Sequence, residues 1–239
     1  MDSDPFGRAI RDYQHGNQEQ PLIQRDGEET REHPIKQFYF DDFDAESERG
    51  KWLRSWLDGP LLDIGAGAGR DTLYFQRQFE TVAIEVSDPL IETMRERGVT
   101  DVRHADMLAL RETFERDRFR SALAYGTQLG LTGSIHGLRK FLGDLAFVTT
   151  PGATAVLDCV DPAQEETREF LGYRADPTSG LAHRVMHFEY KGEVGETLLF
   201  QLFSPGRVRE ATIGTGWEVA EIRRTDGNEH HFYAVLQKL

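Results

Sequence analysis

Along the middle of the chain the hydrophobic positions switch between two periods, and the switches mark the elements. Residues 60–64, 81–86, 119–124 and 153–158, with a shorter run at 101–104, are rich in apolar and β-branched side chains and predict strands. Residues 71–78, 88–97 and 135–149 place apolar side chains three and four apart and predict helices; Leu138, Phe141, Leu142 and Leu145 form one stripe of the last. A further helix over 46–57 carries Trp52, Leu53, Trp56 and Leu57 and stops at Asp58-Gly59-Pro60. Strand and helix alternating at this spacing predict a parallel sheet covered on both faces.

The two ends read differently. Residues 1–34 are polar, with breaks at Gly16, Pro21 and Gly27, and predict an extended or partly helical arm. An aromatic and acidic segment, 37–44, follows it. Residues 181–190 alternate, 191–195 form a loop and 197–203 a second run, which predicts an antiparallel hairpin added to the sheet or laid over its mouth. Pro151-Gly152 is expected to turn. Ser204 and Pro205 start a helix that ends near Gly214 or Gly216. Residues 217–224 and 231–236 are closing strands around an Asp226-Gly227-Asn228 turn, with His230-His231 in the solvated turn region.

Composition narrows the class. The 239 residues suit one sizeable domain with an extension. Lys and Arg number 28 against 41 Asp and Glu, a formal charge of −13. Phosphate backbones repel such a chain unless it carries a basic stripe, and Arg111, Arg116, Arg118 and Arg120 are interleaved with Glu112, Glu115 and Asp117. No nucleic-acid partner is expected. The single cysteine, Cys159, excludes an internal disulfide and a CxxC site. No apolar run approaches the roughly 18 residues of a membrane span, and the acidic start lacks an apolar leader core. A cytoplasmic protein without membrane partners is expected. The cations are 23 Arg and 5 Lys, and excess acid with scarce Lys is the composition of salt-adapted proteins.

The stretch Leu61-Leu62-Asp63-Ile64-Gly65-Ala66-Gly67-Ala68-Gly69-Arg70 carries the chemistry. A buried strand runs into alternating glycines and then a helix, which lets backbone approach a ligand closely. A dinucleotide fingerprint wants a small residue five positions after the first glycine. Arg70 stands there instead, and Asp63 at the strand end would repel a diphosphate. Both features favour a cationic, phosphate-free ligand. Glu85 ends the next strand, where an acid accepts from ribose hydroxyls. After the third, Asp106 can accept from an exocyclic adenine amine and Met107 can cover a ring face. An isolated Asp at such a place is more often a cap.

These motifs, with Ile84-Glu85-Val86-Ser87, Ala105-Asp106-Met107 and the segment 124–131, resemble the class I S-adenosylmethionine-dependent methyltransferases. The resemblance implies a Rossmann-like α/β fold: a seven-stranded, mostly parallel sheet with helices on both faces and a final antiparallel strand. It implies a methyltransferase domain over 46–239, with 1–45 as an arm or lid and 165–203 as a substrate-side insertion. S-adenosyl-L-methionine is the implied cofactor. Asp63, Gly65, Ala66, Gly67 and Gly69 would lie beside its methionine part, Glu85 and Val86 at the ribose, and Asp106 and Met107 at adenine. Tyr125 would stand where cofactor meets substrate.

Residues 125–128 are not the Asn/Asp-Pro-Pro-aromatic motif of enzymes that methylate exocyclic amines of bases, and there is no Pro-Cys nucleophile. Together with the charge, this points to a small-molecule acceptor. Tyr39, Tyr125, Gln128, His183, His187 and Glu189 are the substrate-side candidates. His183 and His187, four apart on a strand, share a face that either points into a pocket or, as is more common for such a pair, lies at the surface. Asp161, Glu165, Glu166 and Glu169 read as a solvated helix face and not as a metal site. Two other readings stay open: an NAD(P)-dependent oxidoreductase on a Rossmann fold, and a non-catalytic cofactor-binding protein.

Overall fold

The computed structural model describes residues 3–225 and 228–239; the centre of the expected turn, Asp226-Gly227, lies outside them. In chain order the arm folds into α1 (Pro5–Gln14), β1 (Ile23–Asp26), β2 (Glu29–Glu32) and a π-helical turn (Lys36–Phe40). Then come α2 (Glu48–Trp56), β3 (Leu61–Ile64), α3 (Arg70–Phe75), β4 (Thr81–Glu85), α4 (Asp88–Glu96) and β5 (Val102–His104). α5 (Leu110–Thr113), β6 (Phe119–Ala124), α6 (Ile135–Val148) and β7 (Thr149–Val160) follow. The last third holds β8 (Tyr173–Ala175), β9 (Leu181–Tyr190), β10 (Glu193–Val194), β11 (Leu198–Phe203), α7 (Pro205–Thr212), β12 (Trp217–Thr225) and β13 (Asn228–Lys238).

The first sheet has the order β12-β13-β7-β6-β3-β4-β5. β7, β6, β3, β4 and β5 are parallel, and β13 is antiparallel to both β7 and β12. The period-two pattern divides its side chains. Leu62, Ile64, Ala122, Ala124, Ala155 and Leu157 face α6 and α7. Leu61, Leu123, Val156 and Val235 face Leu53 of α2, Leu57 just after it and Phe75 of α3. The α6 stripe is buried as expected and extends to Val148, and Ser134 caps it by accepting from Gly137 N. Pro151-Gly152 does not end a loop. β7 starts at Thr149, and the pair is absorbed as a register shift against β6, with Gly152 at φ +74°. Ser204 holds the N-cap position of α7, but its side chain makes no capping bond.

The second sheet is antiparallel and has β9 as its spine. Ala182, His183 and Arg184 pair with β8 and with β11, while Glu189 pairs with β1 and with β10. β2 extends the sheet beyond β1. The hairpin expected at 181–203 is therefore joined by a second hairpin from the arm. Ala9, Ile10, Leu22, Met186, Phe188 and Tyr190 form its core, which also takes in Ala68 of the glycine loop and Leu90 of α4. That shared core seats the second sheet against the loop.

Candidate active site

The glycine loop leaves β3 at the point where the sheet order diverges, β4 to one side and β6 to the other, the crevice where open α/β sheets hold ligands. Gly65, Gly67 and Gly69 have φ of +64°, +59° and +77°, the left-handed region that penalises a Cβ. At Gly65 a Cβ would come within 2.4 Å of the Gln128 side chain, and at Gly67 within 3.2 Å of the Tyr39 ring. At Gly69 it would strike Val99 and Met94, so this glycine serves packing and lies away from the cavity.

Four of the loop's amide protons, those of Gly65, Ala66, Gly67 and Gly69, have acceptors within the protein. Gly65 N and Ala66 N donate to Ile84 O, and Gly69 N donates to Ala66 O. Gly67 N donates to Glu85 Oε2 at 3.1 Å. The same carboxylate accepts from Val86 N and Ser87 N. Burial raises the Glu85 pKa against the pull of these bonds. Asp63 is buried behind the loop and accepts from the Thr72 hydroxyl. Burial first, and then the neighbouring Asp71, push its carboxyl up to about 7. A diphosphate at this loop would meet two carboxylates and find four of the loop N–H groups taken; a cation would be drawn in.

A cavity of about 1990 Å³ opens between the loop and the second sheet. On one wall the Tyr125 ring lies under two guanidinium groups, Arg49 at 4.5 Å and Arg70 at 5.1 Å, and stacks on Tyr233. Arg70 pairs with Asp71 at 3.1 Å, and Arg49 Nε donates to the Tyr233 hydroxyl. Asp158, only 1% exposed, accepts from Gly126 N and Thr127 N and pairs with His231 Nε2 at 3.0 Å. His230 and His231 were expected in a solvated turn, yet both lie on β13 and line the cavity. The signal was present: Phe232, Ala234 and Leu236 in phase on the core face put His231 and Tyr233 on the other. Asp161 is likewise not solvated; it is buried and paired with Arg224.

The other expected residues divide. Tyr39, Asp63, Gly65, Ala66 and Gly67 line the cavity. So do Glu85, Val86, Tyr125 and Gln128. Val86 is 56% exposed, an uncovered apolar face on the wall. Arg97 ties Tyr39 O and Ala68 O together, which holds the π-helical turn against the loop. Asp106 and Met107 are not at the cavity. The Asp106 carboxylate caps a short turn through Leu108 N, and Met107 packs in the core. His183 and His187 do share a face, but it is the one turned away, where they pair with Asp176 and Glu189. Apolar Met186 and Phe188 claim the inward phase of β9 and carry Arg184 with them to the cavity.

Arg184 sets the direction of a hydrogen-bond chain. Its Nη2 donates to Gln24 Oε1 at 2.7 Å, and a guanidinium cannot accept. The Gln24 Nε2 therefore faces His33 Nδ1 as donor, at 2.9 Å. His33 then carries its proton on Nε2 and donates to the Tyr39 oxygen at 3.0 Å. Burial, with the nearby Arg184 charge, lowers the His33 pKa to about 4, so this order holds at neutral pH. The Tyr39 hydroxyl proton is left free to serve an acceptor in the cavity.

No protein-family model matches the chain, and no curated protein matches it in sequence. Solved structures do match it in shape. A methyltransferase of Bacteroides fragilis in complex with S-adenosyl-L-homocysteine superposes with a TM-score of 0.79 at 22% identity, over 98% of this chain and 94% of its own. The fold is that of the class I S-adenosylmethionine-dependent methyltransferases. The CcbJ methyltransferase of Streptomyces caelestis gives a TM-score of 0.60 at 16% identity, covering 79% of this chain and 87% of its own. The 1,6-didemethyltoxoflavin-N1-methyltransferase of Burkholderia thailandensis gives 0.52 at 18%, covering 74% and 70%.

Proposed function

We propose that the chain is an S-adenosylmethionine-dependent methyltransferase acting on a small-molecule acceptor. The observation that carries this reading is the pair of carboxylates, Asp63 and Glu85, set at a loop where the amide protons of Gly65, Ala66, Gly67 and Gly69 already have acceptors in the protein. Such a site suits a ligand with a positive charge and ribose hydroxyls, and opposes a dinucleotide. The cavity exceeds the roughly 300–1,000 Å³ of a single-ligand pocket, which leaves room for cofactor and acceptor together.

S-adenosylmethionine, when bound, supplies a methyl group on an electrophilic sulfonium, so the protein's main task is alignment. In this reading Glu85 accepts from the ribose hydroxyls, Asp63 and the loop face the methionine part, and Val86 offers apolar surface to adenine. Tyr39 and the second sheet close the site from above and exclude water. Where the acceptor arrives protonated, His231, held 3.0 Å from Asp158 on the cavity wall, takes the proton.

Isothermal titration with S-adenosylmethionine and with NADH tests the binding half. Micromolar affinity for the first and none for the second is expected, and the reverse overturns the reading. Release of S-adenosylhomocysteine in the presence of a metabolite library tests turnover; binding without release on any acceptor reduces the chain to a binding protein.

A further inference from the structure

Six arginines line the cavity, and they fall into two groups. Arg8 pairs with Glu193, Arg11 with Glu92 and Glu96, Arg49 with Asp71, and Arg70 with Asp71. Arg184 and Arg31 pair with no carboxylate among the described residues. Arg184 Nε donates to Leu171 O at 2.9 Å and Nη2 to Gln24 Oε1, both neutral acceptors, and Nη1 has no protein partner among the described residues. The nearest partner of Arg31 is also neutral, Glu169 O at 3.5 Å. In a chain with 41 acids to 28 bases, two adjacent guanidinium groups left without a counter-charge on a cavity wall are unusual. Burial, with the charge of Arg31 added, pulls the Arg184 pKa down to about 10, so it stays protonated at neutral pH. The surroundings are apolar: Arg184 lies 5.8 Å over the Phe170 ring, and Met186 and Phe188 share its face of β9.

We propose that Arg184, assisted by Arg31, binds a carboxylate on the methyl acceptor, and that the acceptor is an acid with an apolar, ring-sized body. The proposal rests on the methyltransferase reading for the word acceptor, but the anion subsite can be tested without it. A guanidinium fork matches a carboxylate in two parallel hydrogen bonds, and a wall of Phe and Met excludes the water that would screen them. The hydrogen-bond chain from Arg184 to Tyr39 sets this subsite on the same wall that reaches Gly67, so a molecule anchored at Arg184 extends toward the glycine loop.

The probe is benzoate, titrated into the full chain with and without S-adenosylhomocysteine, alongside inorganic phosphate. Wild type is expected to bind benzoate in preference to phosphate. Arg184→Met should weaken benzoate by about tenfold or more while leaving S-adenosylmethionine affinity within about twofold. Arg31→Gln, at an exposed position, should weaken it by about threefold, which keeps the test alive if Arg184→Met fails to fold. Unchanged benzoate affinity in the variants overturns the proposal. So does phosphate binding in place of benzoate, or a loss of S-adenosylmethionine affinity in Arg184→Met, which would give the arginine to the cofactor's own carboxylate. Failure of wild type to bind S-adenosylmethionine, with benzoate binding intact, would sink the methyltransferase reading alone.

Discussion

The two sheets meet at the glycine loop and are held together by different forces. The first is apolar on both faces, and its strands β3, β6 and β7 are buried between helices. The second turns one face to Ala9 and Ile10 of α1 and Leu90 of α4 and carries polar contacts elsewhere, the ion pairs Arg25–Glu189 and Arg174–Asp26 and the His187–Glu189 hydrogen bond among them. Close packing on two faces fixes the strand ends within a fraction of an ångström, which suits a site for an invariant cofactor. A one-sided sheet clasped by surface charge costs less to rebuild, which suits a site whose ligand changes between relatives.

The sharpest way to break that division is to fill the loop. Gly67→Arg places a long side chain where only a bare φ +59° backbone fits beneath Tyr39. S-adenosylmethionine binding is expected to vanish in titration calorimetry, while benzoate still binds at the second sheet. Retained cofactor affinity would mean that the ligand lies elsewhere.

What the sequence made legible follows the same line. The first sheet could be read nearly strand by strand, because each buried strand is a continuous apolar run next to a helix with one stripe. β1 and β2 could not. Ile23-Gln24-Arg25-Asp26 has one apolar residue, and its partner strand Glu29-Thr30-Arg31-Glu32 has none; they are strands because β9 supplies an edge. The loop, Glu85 and Tyr125 were visible as motifs. Asp106 was not separable from a cap residue, which is what it is. His183 and His187 were assigned to the right strand and to one shared face, with the surface favoured over a pocket as its side, because periodicity gives phase but not which phase is inside. Here two larger apolar neighbours, Met186 and Phe188, decide it. Arg184 carried no signal at all, since an arginine on a half-buried strand is ordinary until its partners are seen.

The next largest effect is on pH. Asp63 titrates at about 7 in the fold against 3.8 in an unfolded chain, mainly through burial. A raised carboxyl means the native state holds its proton more tightly, so this residue adds stability as pH falls through 7, fully so below 3.8. Cofactor binding has the opposite sign, because a cation wants Asp63 ionised. Between pH 7 and 5 the affinity for S-adenosylmethionine is expected to fall by up to about tenfold per unit while the melting temperature of the free protein holds or rises. Asp63→Asn should flatten both curves. Parallel falls in affinity and stability would remove Asp63 as the cause.

The second sheet should respond to acid in the other direction. Glu189 sits below its ordinary 4.5, chiefly through the Arg25 hydrogen bond and then that of His187. For Asp12 burial works upward, but the bonds from Lys191 and Tyr190 outweigh it and its pKa is lowered. Depressed carboxylates stabilise the fold above their unfolded values and lose that contribution as pH drops through the folded ones. Below about pH 4, amide exchange in β1, β2 and β9 should therefore quicken by severalfold beyond its intrinsic rate. Tryptophan emission should hold, because Trp52, Trp56 and Trp217 all belong to the first sheet and its helices. Coincident transitions by the two probes would show one cooperative unit and erase the mechanical distinction between the sheets.

Salt gives the smallest effect and the most direct test of where the charge of −13 acts. General repulsion between surface acids is long-ranged and disappears as the Debye length shrinks from about 10 Å at 0.1 M to about 3 Å at 1 M. The pairs that clasp the second sheet are short-ranged, partly shielded from solvent, and worth roughly 0–1 kcal/mol each. If repulsion dominates, molar KCl raises the melting temperature by a few degrees, and the tryptophan-monitored first sheet gains at least as much as the second. If the clasps dominate, KCl speeds exchange in β1 and β2 and leaves the tryptophan transition unmoved. We expect the first outcome, because the acids outnumber the bases by 13 over the whole chain and four surface pairs cannot offset that excess. A melting temperature that does not rise between low and molar KCl removes salt adaptation from the account of this protein.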